Sequence, residues 1–349
     1  MRINNKIALL MISASVLPLM ALALIFCIND RVAADNFFYA HLDVMTKRAQ
    51  EMVNSHIQDE KIRIADWASD GHLRDAAESI IQSNAPEEVQ DLANYLLRKN
   101  YLMKYKMALD PHIITTDIFD LDGKIIISTD MNRVGHVDSG EELEREYSFG
   151  KARAAEYGQV FISEIDPLSD DRNEFPEAAF NASVPLVSVA TSETIGVMVI
   201  HVSTADLRAV LAEFIKEDLA LGGYSYLPHQ SLKLSVIDNS GRVIESSGSN
   251  ALVDQSVADL PPIQACFRKN SNFIGRYTDK DGRSVLGTAI CSSARPWLVL
   301  GEVSEDEVLA YFNRHLLATL FFMAVIILIM ALVSVVCTRH WFREERGPK

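Results

Sequence analysis

Ile113–Asp130 reads IITTDIFDLDGKIIISTD, and this stretch constrains the fold more than any other in the chain. An apolar, β-branched run reaches Asp120-Leu121-Asp122-Gly123, and a second such run leaves it. That is strand, tight turn and strand, a β-hairpin. Gly supplies the positive φ that the turn needs, and Asp folds its carboxylate back onto turn amides. The stretch has an echo. Leu234–Ser246 reads LSVIDNSGRVIES, with Asp238-Asn239-Ser240-Gly241 in the place of Asp120-Leu121-Asp122-Gly123.

A second echo follows. Gly196–Phe214 (GVMVIHVSTADLRAVLAEF) is an apolar strand, then Ser203, then an amphipathic helix, and Trp297–His315 (WLVLGEVSEDEVLAYFNRH) repeats this around Ser304. In both, Ser stands three residues before an acid, Asp206 or Glu307, which is a capping-box start. Hairpins and strand-to-helix exits come in the same order, so one α/β unit of ordinary domain size is used twice. Hairpins dominate and βαβ crossovers are absent, which predicts antiparallel sheets with helices on one face.

The formal net charge of −14 argues against nucleic-acid binding, which needs a basic footprint. Ile7–Ile28 and Leu316–Cys337 are uncharged runs long enough to span a hydrocarbon core of about 30 Å. The first is read as an uncleaved anchor. Its rival is a signal peptide cut after Val32-Ala33-Ala34, but the apolar run exceeds the usual length of such a region. Arg2 and Lys6 precede the first run, and Arg339, Arg343, Arg346 and Lys349 follow the second. By the positive-inside rule both ends are cytoplasmic and Asn29–His315 lies outside.

Asn29–Ala68 holds no Pro or Gly. Phe38, Leu42, Met45, Ala49, Met52 and His56 form a helical seam, and Val53, Ile57 and Ile64 continue an apolar stripe above it. The lower seam is expected to pair with a second copy in a dimer; the alternative is a helix packed on its own domain throughout. Gly71–Met107 reads as one or two further helices with Pro86 opening the second. Glu141–Tyr157 is expected to be a polar helix, Gly158–Ile165 a strand, and Asp166–Glu177 an acidic loop. Gly222-Gly223 marks the boundary between units. Cys266 and Cys291 lie outside the apolar runs, either as a disulfide in an oxidising compartment or as two buried thiols. No zinc-site spacing is present, and no metal or cofactor is expected.

Asp-x-Asp-Gly after an apolar strand is also the nucleophile motif of haloacid-dehalogenase-type phosphatases. Here Lys124 stands where that family has Thr or Val, and the echo carries Asn239 and Ser240, which cannot do the chemistry. The motif is therefore read as a turn. HExxH, GxSxG and P-loop patterns are absent from the sequence, so a non-enzymatic chain is expected.

The order of FDLDGKIIIST, GQVFISEI, IGVMVIHVS, FIGRYTDKDGRSVLGTA and WLVLGEVS, behind a long first helix, resembles the double Cache sensor domain of bacterial membrane receptors. The resemblance implies an α+β fold: two PAS-like antiparallel-sheet units in tandem on a long N-terminal helix, flanked by two transmembrane helices. The division is then 1–28 cytoplasmic tail and first span, 29–70 stalk helix, 71–222 membrane-distal ligand unit, 223–315 membrane-proximal relay unit, 316–337 second span and 338–349 cytoplasmic tail. It implies the bacterial inner membrane with the sensor domain periplasmic, a homodimer, and output through a cytoplasmic or membrane signalling partner or a C-terminal domain on a longer chain.

The resemblance also places a distal pocket between the sheet and the segment after the first hairpin. Candidate lining residues are Tyr147, Phe149, Phe161, Ser163, Asn181, Ser183 and His201. The family's amino-acid-binding branch has Arg, Trp and Tyr where this chain has Tyr147, Phe149 and Gly150, and Asp where it has His201. A neutral or singly anionic small molecule is therefore expected rather than an amino acid. The expected function is a membrane-anchored extracytoplasmic sensor. The alternative is an assembly protein whose Cache-like domain binds another protein, and an extracytoplasmic hydrolase comes third.

Overall fold

The computed structural model describes residues 2–82, 97–137, 140, 143, 148–163, 179–220, 231–248, 255–291 and 297–344. Two five-stranded antiparallel sheets carry the chain. The first has the order β2 (Ile125–Ser128), β1 (Ile113–Phe119), β5 (Thr194–Ser203), β4 (Ala179–Val187), β3 (Phe161–Ile162). The second has the order β7 (Val243–Ser246), β6 (Lys233–Asp238), β10 (Trp297–Ser304), β9 (Ser284–Ile290), β8 (Phe273–Thr278). The orders correspond strand for strand. Even the bulges correspond, at Ile118/Phe119 in β1 and Val236/Ile237 in β6.

The turns repeat for a local reason. The Asp120 carboxylate accepts from the amides of Asp122 and Lys124 at 2.9 Å each. Asp238 accepts from Arg242 at 2.8 Å and Asp279 from Arg283 at 2.8 Å in the same way. Gly123, Gly241 and Gly282 close the three turns at φ 84°, 80° and 79°, where a side chain would be strained. Asp120 is thus committed to its own turn.

Helix α1 (Arg2–Ser69) backs both sheets. Phe38, Leu42, Met45, Ala49, Val53 and Ile57 bury against Leu234, Val236, Val299 and Val303 of the second sheet. Ile64, Trp67 and Ala68 bury against Ile118, Phe180 and Ile200 of the first. The lower seam expected to meet a second copy is therefore occupied by the chain's own sheet, while Met52 and His56 at its edge are only half-buried. The helix comes close at Gly301, where any Cβ would collide with the Thr46 hydroxyl.

Between the sheets runs α4 (Ala205–Ala220), which follows β5 directly. Its Leu207, Leu211 and Phe214 pack into the second unit's core, although the 71–222 division groups this helix with the first. Thr204 donates to Glu245 of β7 at 3.1 Å, and Arg208 grips the same carboxylate at 2.9 and 3.0 Å. His112, just before β1, lies 3.3 Å from Glu60 of α1 and 3.3 Å from Asp206 of α4.

Other expectations shift in detail. Of the helix read over Glu141–Tyr157, Leu143 is helical, and a short α3 (Phe149–Arg153) follows Ser148, which at φ 49° is left-handed and interrupts any helix running into it. The strand read over Gly158–Ile165 is two residues, Phe161–Ile162, among the described ones. After α2 (Gly71–Gln82), Arg98–Lys106 is a π-helical stretch; Pro86, Gly222-Gly223 and the acidic loop Asp166–Glu177 lie outside the described residues. α5 (Pro261–Lys269) covers the second sheet and is joined to the end of β9 by the disulfide Cys266–Cys291, with Cα atoms 5.2 Å apart. A cross-link enclosing a loop of this length is worth about 3 kcal/mol.

The last helix, α6 (Glu305–Glu344), begins at the residue after β10 and continues unbroken. Among the described residues no helix is long and apolar enough to cross a membrane. Much of Ile7–Ile28 and the ends of Leu316–Cys337 lie outside the residues whose side chains are described.

Candidate functional site

Each sheet has one face against α1 and one turned away. In an antiparallel pair, residues directly opposite one another share a face, so the register assigns the outward face of the first sheet in rows. One row is Asn181, His201 and Thr115, with Ser163 beside it through an Asn181 amide donating to the Ser163 hydroxyl at 3.2 Å. The next is Phe161, Ser183, Val199, Asp117 and Ser128. The third is Pro185, Val197 and Phe119. Phe149 of α3 stands over this last row, its ring edge-on to Phe119 at 5.9 Å.

Six of the seven residues expected from sequence are thus described. Phe161, Ser163, Asn181, Ser183 and His201 lie in two adjacent rows of one face, and Phe149 packs on the neighbouring apolar row; Tyr147 lies outside the described residues. Ser163, Asn181, Ser183 and His201 are all buried.

Sequence reasoning missed the charge at the centre. Asp117 is fully buried on β1. Its carboxylate accepts from Ser128 Oγ at 2.6 Å, lies 3.2 Å from Arg133 Nη2, and lies 3.3 Å from His201 Nε2. Burial pushes this carboxyl upward, but the hydrogen bond and charge of His201, the Arg133 charge and Ser128 together outweigh it and hold it below 3.8. The face therefore carries a buried carboxylate paired with Arg133, beside the residues expected from sequence. The available signal was a lone acid inside an apolar strand, two residues before Phe119 and so on the same face.

Thr115 completes the polar row. Its hydroxyl is buried and has no hydrogen-bond partner among the described residues. An unmade bond on a buried group costs about 1–3 kcal/mol, so this oxygen is a place where a bound group gains. Chemically, the face offers hydroxyl, amide and imidazole groups beside an aromatic wall, with an internally compensated Asp–Arg pair. No group of His, Cys, Asp and Glu suited to hold a metal occurs among the described residues.

No protein-family model matches the sequence, and no curated protein matches it. Solved structures do. The sensor domain of the V. cholerae histidine kinase DctB is similar at 15% identity, covering 77% of this chain and 98% of that one, with a TM-score of 0.50. The ligand-binding domain of the Campylobacter jejuni chemoreceptor Tlp3, solved with L-norvaline, is similar at 11% identity, covering 79% and 94%, with a TM-score of 0.49. The periplasmic sensory domain of the C. jejuni chemoreceptor Tlp1 is similar at 14% identity, covering 77% and 96%, with a TM-score of 0.46. Two sheets of matching strand order on one long helix, together with the likeness to the DctB domain, give the chain the double Cache-type fold.

Proposed function

We propose that this chain is a membrane-anchored extracytoplasmic sensor, and that the outward face of the first sheet binds its small-molecule ligand. The observation that carries this reading is the buried polar row Ser163–Asn181–His201–Thr115, with the Thr115 hydroxyl unpartnered among the described residues. The α1 side of the same strands is mainly apolar, with Ile118, Ala182, Val184, Met198 and Ile200, whereas this row is polar throughout. Phe149 and Phe161 supply the wall, and Tyr147 is assigned to the same lining. With Asp117 compensated by Arg133, the face suits a neutral or singly anionic molecule.

Anchoring is supported by the uncharged runs Ile7–Ile28 and Leu316–Cys337, and by the exposed Leu317, Phe321, Phe322, Leu328 and Leu332 of α6. Such a surface is stable when lipid covers it. The relay then runs from β5 through α4 and Glu245 into the second sheet, and from β10 without a break into α6.

Two measurements test the reading. A metabolite screen by thermal shift on the full chain should find a compound that raises the melting temperature by mass action. An alkaline-phosphatase fusion at Gly248 should be active and one at Gly347 inactive; the reverse pattern would remove the extracytoplasmic placement.

A further inference from the structure

The second sheet repeats the first residue by residue, and the repeat shows what occupies its own outward face. Thr115↔His201↔Asn181 in the first unit corresponds to Lys233↔Glu302↔Gly287 in the second. Asp117↔Val199↔Ser183↔Phe161 corresponds to Ser235↔Leu300↔Ala289↔Phe273. Gly275, opposite Gly287, takes the place of Ser163. The polar side chains Ser163, Asn181 and Ser183 have thus become Gly275, Gly287 and Ala289.

The space those side chains leave is filled. Tyr277 lies on β8, and its ring lies over Gly287 so closely that a Cβ there would collide with it. The hydroxyl donates to the buried Glu302 at 2.5 Å, and Lys233 Nζ lies 3.2 Å from the same carboxylate. Phe273 meets the ring edge-on at 5.7 Å. A cavity of about 20 Å³ remains beside Lys233 and Glu302, bordered also by Ser235, Ile237 and Leu300, room for about one water.

We propose that the second unit holds a binding site for a phenol, and that Tyr277 is its resident, tethered ligand. The ring supplies the aromatic body, Glu302 receives the hydroxyl, Lys233 balances the carboxylate, and the glycines make the floor. The second unit therefore takes no diffusible ligand. Its sheet is held in the occupied state by the chain itself, and recognition is left to the first unit. Burial and the neighbouring Glu302 carboxylate raise the Tyr277 hydroxyl above its usual range, so it stays a donor.

The test is chemical rescue on the full chain in detergent, with p-cresol as the probe. Tyr277→Ala should lower the melting temperature, and millimolar p-cresol should restore several degrees to it while leaving the parent protein unmoved. Toluene, lacking the hydroxyl, should restore less. An equal response of parent and variant would overturn the proposal. Should Tyr277→Ala not fold, Gly287→Ala decides: it should destabilise the parent, yet be tolerated beside Tyr277→Val, where the ring is gone. Equal cost of Gly287→Ala in both backgrounds would show that the ring does not occupy the floor the glycines leave, and would also overturn it.

Discussion

Arg133→Ala is expected to cost about 3 kcal/mol of stability, read as a fall in the urea unfolding midpoint. The reason is Asp117, which is fully buried and keeps its charge through Arg133, His201 and Ser128. Removing one partner of a buried pair leaves charge uncompensated, at about 3–5 kcal/mol, and the two surviving partners argue for the lower end. The pH dependence has a definite sign. The folded Asp117 carboxyl sits below its ordinary 3.8, so its ionisation stabilises the fold fully above about pH 4 and is lost as pH falls through the depressed value. Arg133→Ala raises the folded value and moves the acid loss to higher pH. Adding Asp117→Asn to Arg133→Ala should recover part of the stability. An unchanged acid midpoint in Arg133→Ala would mean that Arg133 does not hold the carboxylate.

Arg208→Ala is expected to have a comparable effect, about 3 kcal/mol, for a different structural purpose. Glu245 is buried on β7, and its partners Thr204 and Arg208 follow β5 directly. The pair is the charged clasp between the candidate ligand strand and the second sheet. Arg208→Lys should recover little, because the ammonium cannot reproduce the two-pronged grip. Arg208 is itself partly exposed, with a side-chain exposure of 36%, so solvent competes for its charge. Loss under 0.5 kcal/mol in Arg208→Ala, about the size of an exposed pair, would show Glu245 to be hydrated and the clasp unimportant.

The tandem units were legible because hairpin signals are local. Asp120-Leu121-Asp122-Gly123 and Asp238-Asn239-Ser240-Gly241 each close their own turn, so no distant residue is needed to read them. Strand alternation likewise puts Phe161 with Ser163, and Asn181 with Ser183, on common faces. What sequence did not give depends on which surface covers which. The seam of Phe38, Leu42 and Met45 has the same spacing whether a second copy or the chain's own sheet covers it, and the sheet does. Asp117 was missed because an acid in an apolar strand is recognised as tolerable only once Arg133 and His201, brought from elsewhere in the chain, surround it. The tethered role of Tyr277 needed the register of both sheets before Gly275 and Gly287 could be matched to Ser163 and Asn181.

The central claim is that the outward face of the first sheet receives the ligand. Titration calorimetry with the compound from the thermal-shift screen tests it most directly, on the parent chain and on Asn181→Ala and His201→Ala. Both variants should bind at least tenfold more weakly, a loss of 1.4 kcal/mol. Equal affinity in all three proteins would contradict the account and place the ligand elsewhere.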